Sequence, residues 1–197
     1  MKTLKMKSTR NLIMLGLVVV LSTTTSCQQK AEKATSENNS VSAEVPSTPI
    51  QEATFFGNIK VIKAHVAAKS DLNAKDAYGS TPLHIAATFG RTDAAKLLIE
   101  SGANINATSA DGSTPLHTAA FYGRVELVKA LLAKNADTTV RNSYNSTALE
   151  SVTAPFEAVK PIYDQLSKDL GPLGLKLDYK ELKQNRVIIA DLIKNHQ

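Results

Sequence analysis

Thr81-Pro82-Leu83-His84 recurs as Thr114-Pro115-Leu116-His117, and the same frame passes through Thr48-Pro49-Ile50-Gln51 before them and Thr147-Ala148-Leu149-Glu150 after them. The period is 33 residues each time. Laid on one another without a gap, residues 81–113 and 114–146 share 12 identities, where composition alone gives about two. A chain with that period folds as stacked copies of one small unit, because a single copy cannot bury its apolar side alone. Each residue of the signature has a local task. Thr81 and Thr114 are suited to cap a helix through the hydroxyl, and Pro82 and Pro115 follow at the first helical position, where a missing N–H costs nothing. Leu83, Ala86 and Ala87, like Leu116, Ala119 and Ala120, give a short helix a small-residue face for close packing. Gly90 and Gly123 end it in the left-handed region. A second helix follows through Ala94, Ala95, Leu97 and Leu98, and through Leu127, Val128, Leu131 and Leu132, ending at Gly102 or Asn135.

With T-P-L-H-x-A at a spacing of 33, the chain resembles the ankyrin repeat family. The resemblance implies an all-α solenoid of about four helix-turn-helix units joined by projecting hairpin loops, over 48–80, 81–113, 114–146 and 147–197. Stacking explains how a chain with no Trp and 5% aromatic residues holds together. The end units depart from the pattern as solvated caps should: Gln51 and Glu150 stand in place of the motif His, Ala148 in place of Pro, and Phe156 where Gly is expected. After Arg91 and Arg124, the next comparable segment opens at Arg186, 62 residues on and so 29 beyond the period. The excess reads as an insertion over about 155–183, with a short helix opened by Pro161 and a turn at Gly171-Pro172-Leu173-Gly174. A rival reading makes 155–197 a separate cap; 43 residues are too few for a core of their own, so either version packs on the stack.

The formal charge of +5 misleads. Lys2, Lys5, Lys7 and Arg10 account for four of the basic residues, and from Cys27 onward 19 basic residues face 18 acidic ones. That balance lacks the basic surface that a phosphate backbone requires, which argues against nucleic acid. The basic start, the apolar run Leu12 to Leu21 and the small residues Ser22 to Ser26 are ordered as in a secretory signal peptide over 1–26. Ten apolar residues at about 1.5 Å each reach only halfway across a roughly 30 Å hydrocarbon core, which disfavours a retained anchor helix. Cys27 is the only cysteine, so no disulfide can form within the chain, and its place after the apolar run resembles the acylated cysteine of bacterial lipoproteins. Thr24 departs from the aliphatic residue usual three places before that cysteine, so an ordinary cut and a free periplasmic product remain as the alternative. Gln28 and Gln29 follow Cys27 where an inner-membrane retention signal would resemble Asp, which points to the outer membrane of a Gram-negative bacterium. With no aromatic, Leu or Ile, residues 28–47 cannot offset their own ordering, and 27–47 reads as a flexible linker.

No H-E-x-x-H, paired C-x-x-C, Walker-type loop or G-x-S-x-G elbow is present, so the reading is a non-enzymatic module without cofactor or metal. Two alternatives from other classes are a metal-dependent enzyme using His84 and His117, which the stack brings near one another, and a structural envelope lipoprotein. In the family the motif His instead bonds backbone between repeats. The resemblance also implies that a protein partner docks, on a monomer, at the hairpin tips and the open side of the first helices. Position by position that maps to Tyr78, Ser80, Thr88, Phe89, Asp111, Ser113, Phe121, Tyr122 and Tyr144. Aromatic residues favour binding hot spots, and Tyr78 and Tyr144 are expected to be exposed. Phe89 and Tyr122, beside the turn glycines, divide evenly between exposure and packing on neighbouring helices.

Overall fold

The structure is a computed structural model that describes residues 44–196. The signal-peptide reading of 1–26, Cys27 and most of the linker fall outside the described residues. Among the described residues there is no strand, and none of the helices is long and apolar enough to cross a membrane.

Three helix pairs repeat at the predicted spacing: α1 (Ile50–Phe55) with α2 (Ile59–Ala67), α3 (Pro82–Phe89) with α4 (Thr92–Glu100), and α5 (Pro115–Phe121) with α6 (Val125–Leu132). Then come α7 (Ala148–Thr153), α8 (Phe156–Leu170), a 3-10 turn at Gly171–Leu173, and α9 (Tyr179–Lys194). The inner helices α1, α3, α5 and α7 pack side by side, and the outer helices α2, α4, α6 and α9 do the same behind them. Alanine makes the close approach possible: Ala86, Ala87, Ala119 and Ala120 are fully buried between inner helices. Larger side chains fill the space between the layers, with Leu83, Leu98, Leu116, Leu127, Leu131, Ile189 and Ile193 at 0–1% exposure.

The helix starts form as their chemistry requires. The Thr114 hydroxyl accepts from the His117 N–H at 3.4 Å, and Pro115 takes the next place. In α7 the same box is closed by Glu150, whose N–H donates to the Thr147 hydroxyl (3.2 Å) and whose carboxylate accepts from the Thr147 N–H (2.8 Å). Gly90 and Gly123 adopt φ +65° and +68° at the turns between paired helices.

Two local expectations fail in the last unit. Pro161 does not open a helix; α8 begins at Phe156, and Pro161 sits within it at the loss of one backbone hydrogen bond. The apolar stripe of Phe156, Val159, Tyr163, Leu166 and Leu170 sets the helix limits instead, since that spacing buries one face only as a continuous helix. Arg186, whose counterparts Arg91 and Arg124 stand just before their helices, lies inside α9, which starts two turns earlier on the Asp178 cap. From Ile189 on the frame is regained: Ile189, Ala190 and Ile193 are buried as Leu127, Val128 and Leu131 are in α6.

Candidate protein-binding surface

The helices α3, α5 and α7 each follow a loop, and α1, α3 and α5 each end at a tight turn with Gly57, Gly90 or Gly123 at positive φ, so the stack has two edges. At the hairpin edge Tyr78, Asp111 and Tyr144 occupy the same frame position in successive loops. The loops are joined through main-chain atoms: the Ala110 N–H donates to the Tyr78 carbonyl at 3.1 Å, and the Ser143 N–H to the Asp111 carbonyl at 2.8 Å. Each loop is also tied within itself. Asp76 accepts from the N–H groups of Tyr78 and Ser80, and Asn142 from those of Tyr144 and Ser146. In the middle loop Ser109 stands at that place and Asp111 takes over, accepting from the Ser109 hydroxyl and from the N–H and hydroxyl of Ser113. Partial burial opposes ionisation of Asp111, but those hydrogen bonds outweigh it and hold the carboxyl below the usual range. Bound this way, all three loops are rigid enough to present a side chain. Tyr78 and Tyr144 are 79% and 75% exposed, whereas Asp111, Ser80 and Ser113 are half-buried.

The inner-helix face behind the loops is uncharged over two repeats, because neither α3 nor α5 contains an Asp, Glu, Lys or Arg. Thr88 is half-buried there, and its carbonyl accepts from Arg124 of the following repeat at 2.9 Å. At the turn edge the aromatic residues gather. Phe89 is half-buried against Phe55, with ring centroids 4.6 Å apart and planes at 74°. Phe121 lies under Tyr163 of α8, centroids 4.6 Å apart, and Tyr122 packs edge-on against Phe121. Burial pushes the Tyr122 hydroxyl up to about 12. Of the mapped aromatics, then, Tyr78 and Tyr144 stand free, Phe89 and Tyr122 are partly packed, and Phe121 is covered by α8.

The sequence mapping missed what covers Phe121. Tyr163 is fully buried, and its hydroxyl donates to the Phe121 carbonyl at 2.7 Å. Arg186, 3% exposed, donates to the Tyr163 oxygen at 3.0 Å and to the Ala154 carbonyl at 2.6 Å. The signal was available in the apolar stripe through Phe156, Val159 and Tyr163, which demands a surface to lie on.

The two motif histidines are fully engaged. His84 Nδ1 accepts from the Thr81 N–H at 3.3 Å, and its Nε2–H donates to the Ser113 carbonyl at 2.9 Å. His117 repeats this with Thr114 at 3.2 Å and the Ser146 carbonyl at 3.0 Å. An N–H opposite Nδ1 and a carbonyl opposite Nε2 fix one neutral tautomer, and burial holds both imidazoles below their ordinary value. With both nitrogens of each ring committed, neither has a lone pair to offer a metal, which removes the donor set of the metal-enzyme alternative.

Comparison with known proteins agrees with this architecture. Residues 50–142 match the family model described as Ankyrin repeats (3 copies), a match that stops before α7. No curated protein matches the chain. Ankyrin repeats are generally protein–protein interaction modules, and the family is non-enzymatic. Residues 50–142 are ankyrin repeats, and the helices of the described residues form an all-α ankyrin solenoid.

Proposed function

We propose that the chain is an exported adaptor or regulator that acts as a monomer. In this reading it is lipid-anchored through Cys27 to the outer membrane of a Gram-negative bacterium and binds a partner protein in the envelope. The observation that carries the binding surface is the pair Tyr78 and Tyr144, two large exposed rings at one frame position on loops locked to each other through Asp111. At an interhelix spacing of about 10 Å per repeat they lie roughly 20 Å apart, a span that suits a folded partner better than a small ligand. Support for export comes from the basic, apolar and small-residue order of residues 2–27, and the linker after Cys27 would hold the repeats off the membrane surface.

The test is recovery of partners from envelope extract. Tyr78→Ala combined with Tyr144→Ala is expected to lower the captured amount at least about tenfold, since exposed aromatic anchors dominate such interfaces. Equal recovery overturns the hairpin-edge reading and favours a structural lipoprotein. Phe121→Ala is unsuited to this purpose because it also undermines α8. For the anchor, Cys27→Ala is expected to move the protein from the membrane fraction to the soluble periplasm; an unchanged distribution refutes acylation.

A further inference from the structure

We infer that the partner seats a basic side chain, arginine or lysine, over Asp111 between Tyr78 and Tyr144. The inference deepens the hairpin-edge reading and rests on it. Tyr78, Asp111 and Tyr144 hold one frame position on loops joined by main-chain bonds, which sets the acid midway between the two exposed rings, about 10 Å from each. A partner that spans both rings therefore also covers Asp111. Against the effect of partial burial, hydrogen bonds from the Ser109 hydroxyl and from the N–H and hydroxyl of Ser113 keep that carboxyl ionised. It has no ion-pair partner among the described residues. Taking an uncompensated charge out of water is costly, so an apolar or acidic segment laid across the row loses what the tyrosines contribute, whereas a cation pairs the charge as it covers it.

The surroundings point the same way. The inner helices α1, α3, α5 and α7 carry two charged side chains, Glu52 and Glu150. In the first loop Asp76 holds the N–H groups of Tyr78 and Ser80 through Oδ1, and its Oδ2 accepts from no group among the described residues. Of the two bases near the loop tips, Arg141 is spent on Glu150 at 2.7 Å, which leaves Lys75 against Glu52, Asp76 and Asp111. The outer helices α2, α4 and α6 have the reverse balance, four lysines to three acids. A basic partner is therefore drawn to the loop side, where the exposed faces of Tyr78 and Tyr144 also favour a cation.

The experiment places photoreactive p-benzoyl-phenylalanine at position 144 of the full-length protein and irradiates intact cells. The expected product is an adduct with another protein. A synthetic peptide spanning the attachment point should contain Arg or Lys and bind the purified protein more weakly as salt rises. Asp111→Asn is expected to weaken that peptide at least about tenfold and to flatten its salt dependence. The change keeps a side-chain oxygen for the Ser113 N–H, as Asn142 keeps one for Tyr144 and Ser146, so the unfolding midpoint should stay in place. Replacing the basic residues of the peptide by Gln should cost as much in the wild type and little in Asp111→Asn. Equal affinity of Asp111→Asn and wild type, a segment without Arg or Lys, an adduct to the chain itself or to lipid, or no adduct overturns the proposal. If Tyr78→Ala with Tyr144→Ala also leaves the peptide bound, the hairpin-edge reading falls with it. If those changes release the peptide and Asp111→Asn does not, this proposal falls alone.

Discussion

Between the second and third repeats the turn edge is closed by Arg124, whose guanidinium reaches back to the carbonyls of Ala87 and Thr88 and lies 3.1 Å from where a Cβ on Gly90 would be. Between the third and fourth units the corresponding Phe121 carbonyl is closed by a phenol, and the arginine of the frame, Arg186, stands one layer behind it. The first joint uses a neighbour in the regular period; the second uses a residue 42 positions away. What both preserve is a hydrogen-bond donor at the end of each inner helix, where a carbonyl would otherwise be left unpaired. The donor at this point can therefore come from outside the regular period.

The comparison breaks most visibly at Tyr163. Tyr163→Ala should cost about 3–5 kcal/mol in urea unfolding, through loss of a fully buried ring and of the partner of Arg186, and should speed amide exchange across 156–170. A loss no greater than that of an exposed tyrosine would mean that α8 is not a structural part of the joint. Gly123→Ala comes next, at about 1–3 kcal/mol, because φ is +68° and the new methyl would meet Leu182 Cδ1 at 2.7 Å. Gly102, also at positive φ but with nothing within 4 Å, should lose less on the same change, and equal losses would show that α9 yields freely at the turn.

Acid separates the helix-start boxes. Burial lowers the pKa of His84 and His117 in the folded state, so below 6.5 the unfolded chain binds more protons than the folded one. Stability from these boxes is full above pH 6.5 and declines as pH falls through that window. At Glu150, hydrogen bonds from Arg141 and then Thr147 hold the carboxyl below its ordinary 4.5, so that box weakens only at pH below this value. Melting temperature against pH should show an early slope in the wild type, flattened by His84→Gln with His117→Gln; a slope that survives both places the titration elsewhere. The smallest effect is expected for Arg141→Ala, which removes an exposed pair with Glu150 at 2.7 Å. Its loss should be slight at low salt and vanish at high salt; a salt-independent loss would assign Arg141 a packing role.

The repeated part of the fold was legible because each local signal acts on atoms a few residues away. Thr and Pro start α3 and α5, Gly ends α3 and opens the turn after α5, and alanine spacing selects the packed face. Where a contact reaches outside the regular period, such as Tyr163 to Phe121, no short-range pattern marks it, and Pro161 was misread because a proline suits a helix start better than an interior. Among the site residues, exposure of Tyr78 and Tyr144 followed from their place on loop tips. The covering of Phe121 did not, since it depends on a helix outside the period.

The links between neighbouring loops run from the Ala110 N–H to the Tyr78 carbonyl and from the Ser143 N–H to the Asp111 carbonyl. Only main-chain atoms take part in these two links, so almost any amino acid except proline could stand at 110 or 143. Asp111 also ties its own loop through its carboxylate, but the choice at 78 and 144 is equally open. Specificity can thus drift, or be reprogrammed in a randomised library at these positions, without disturbing the framework that displays it.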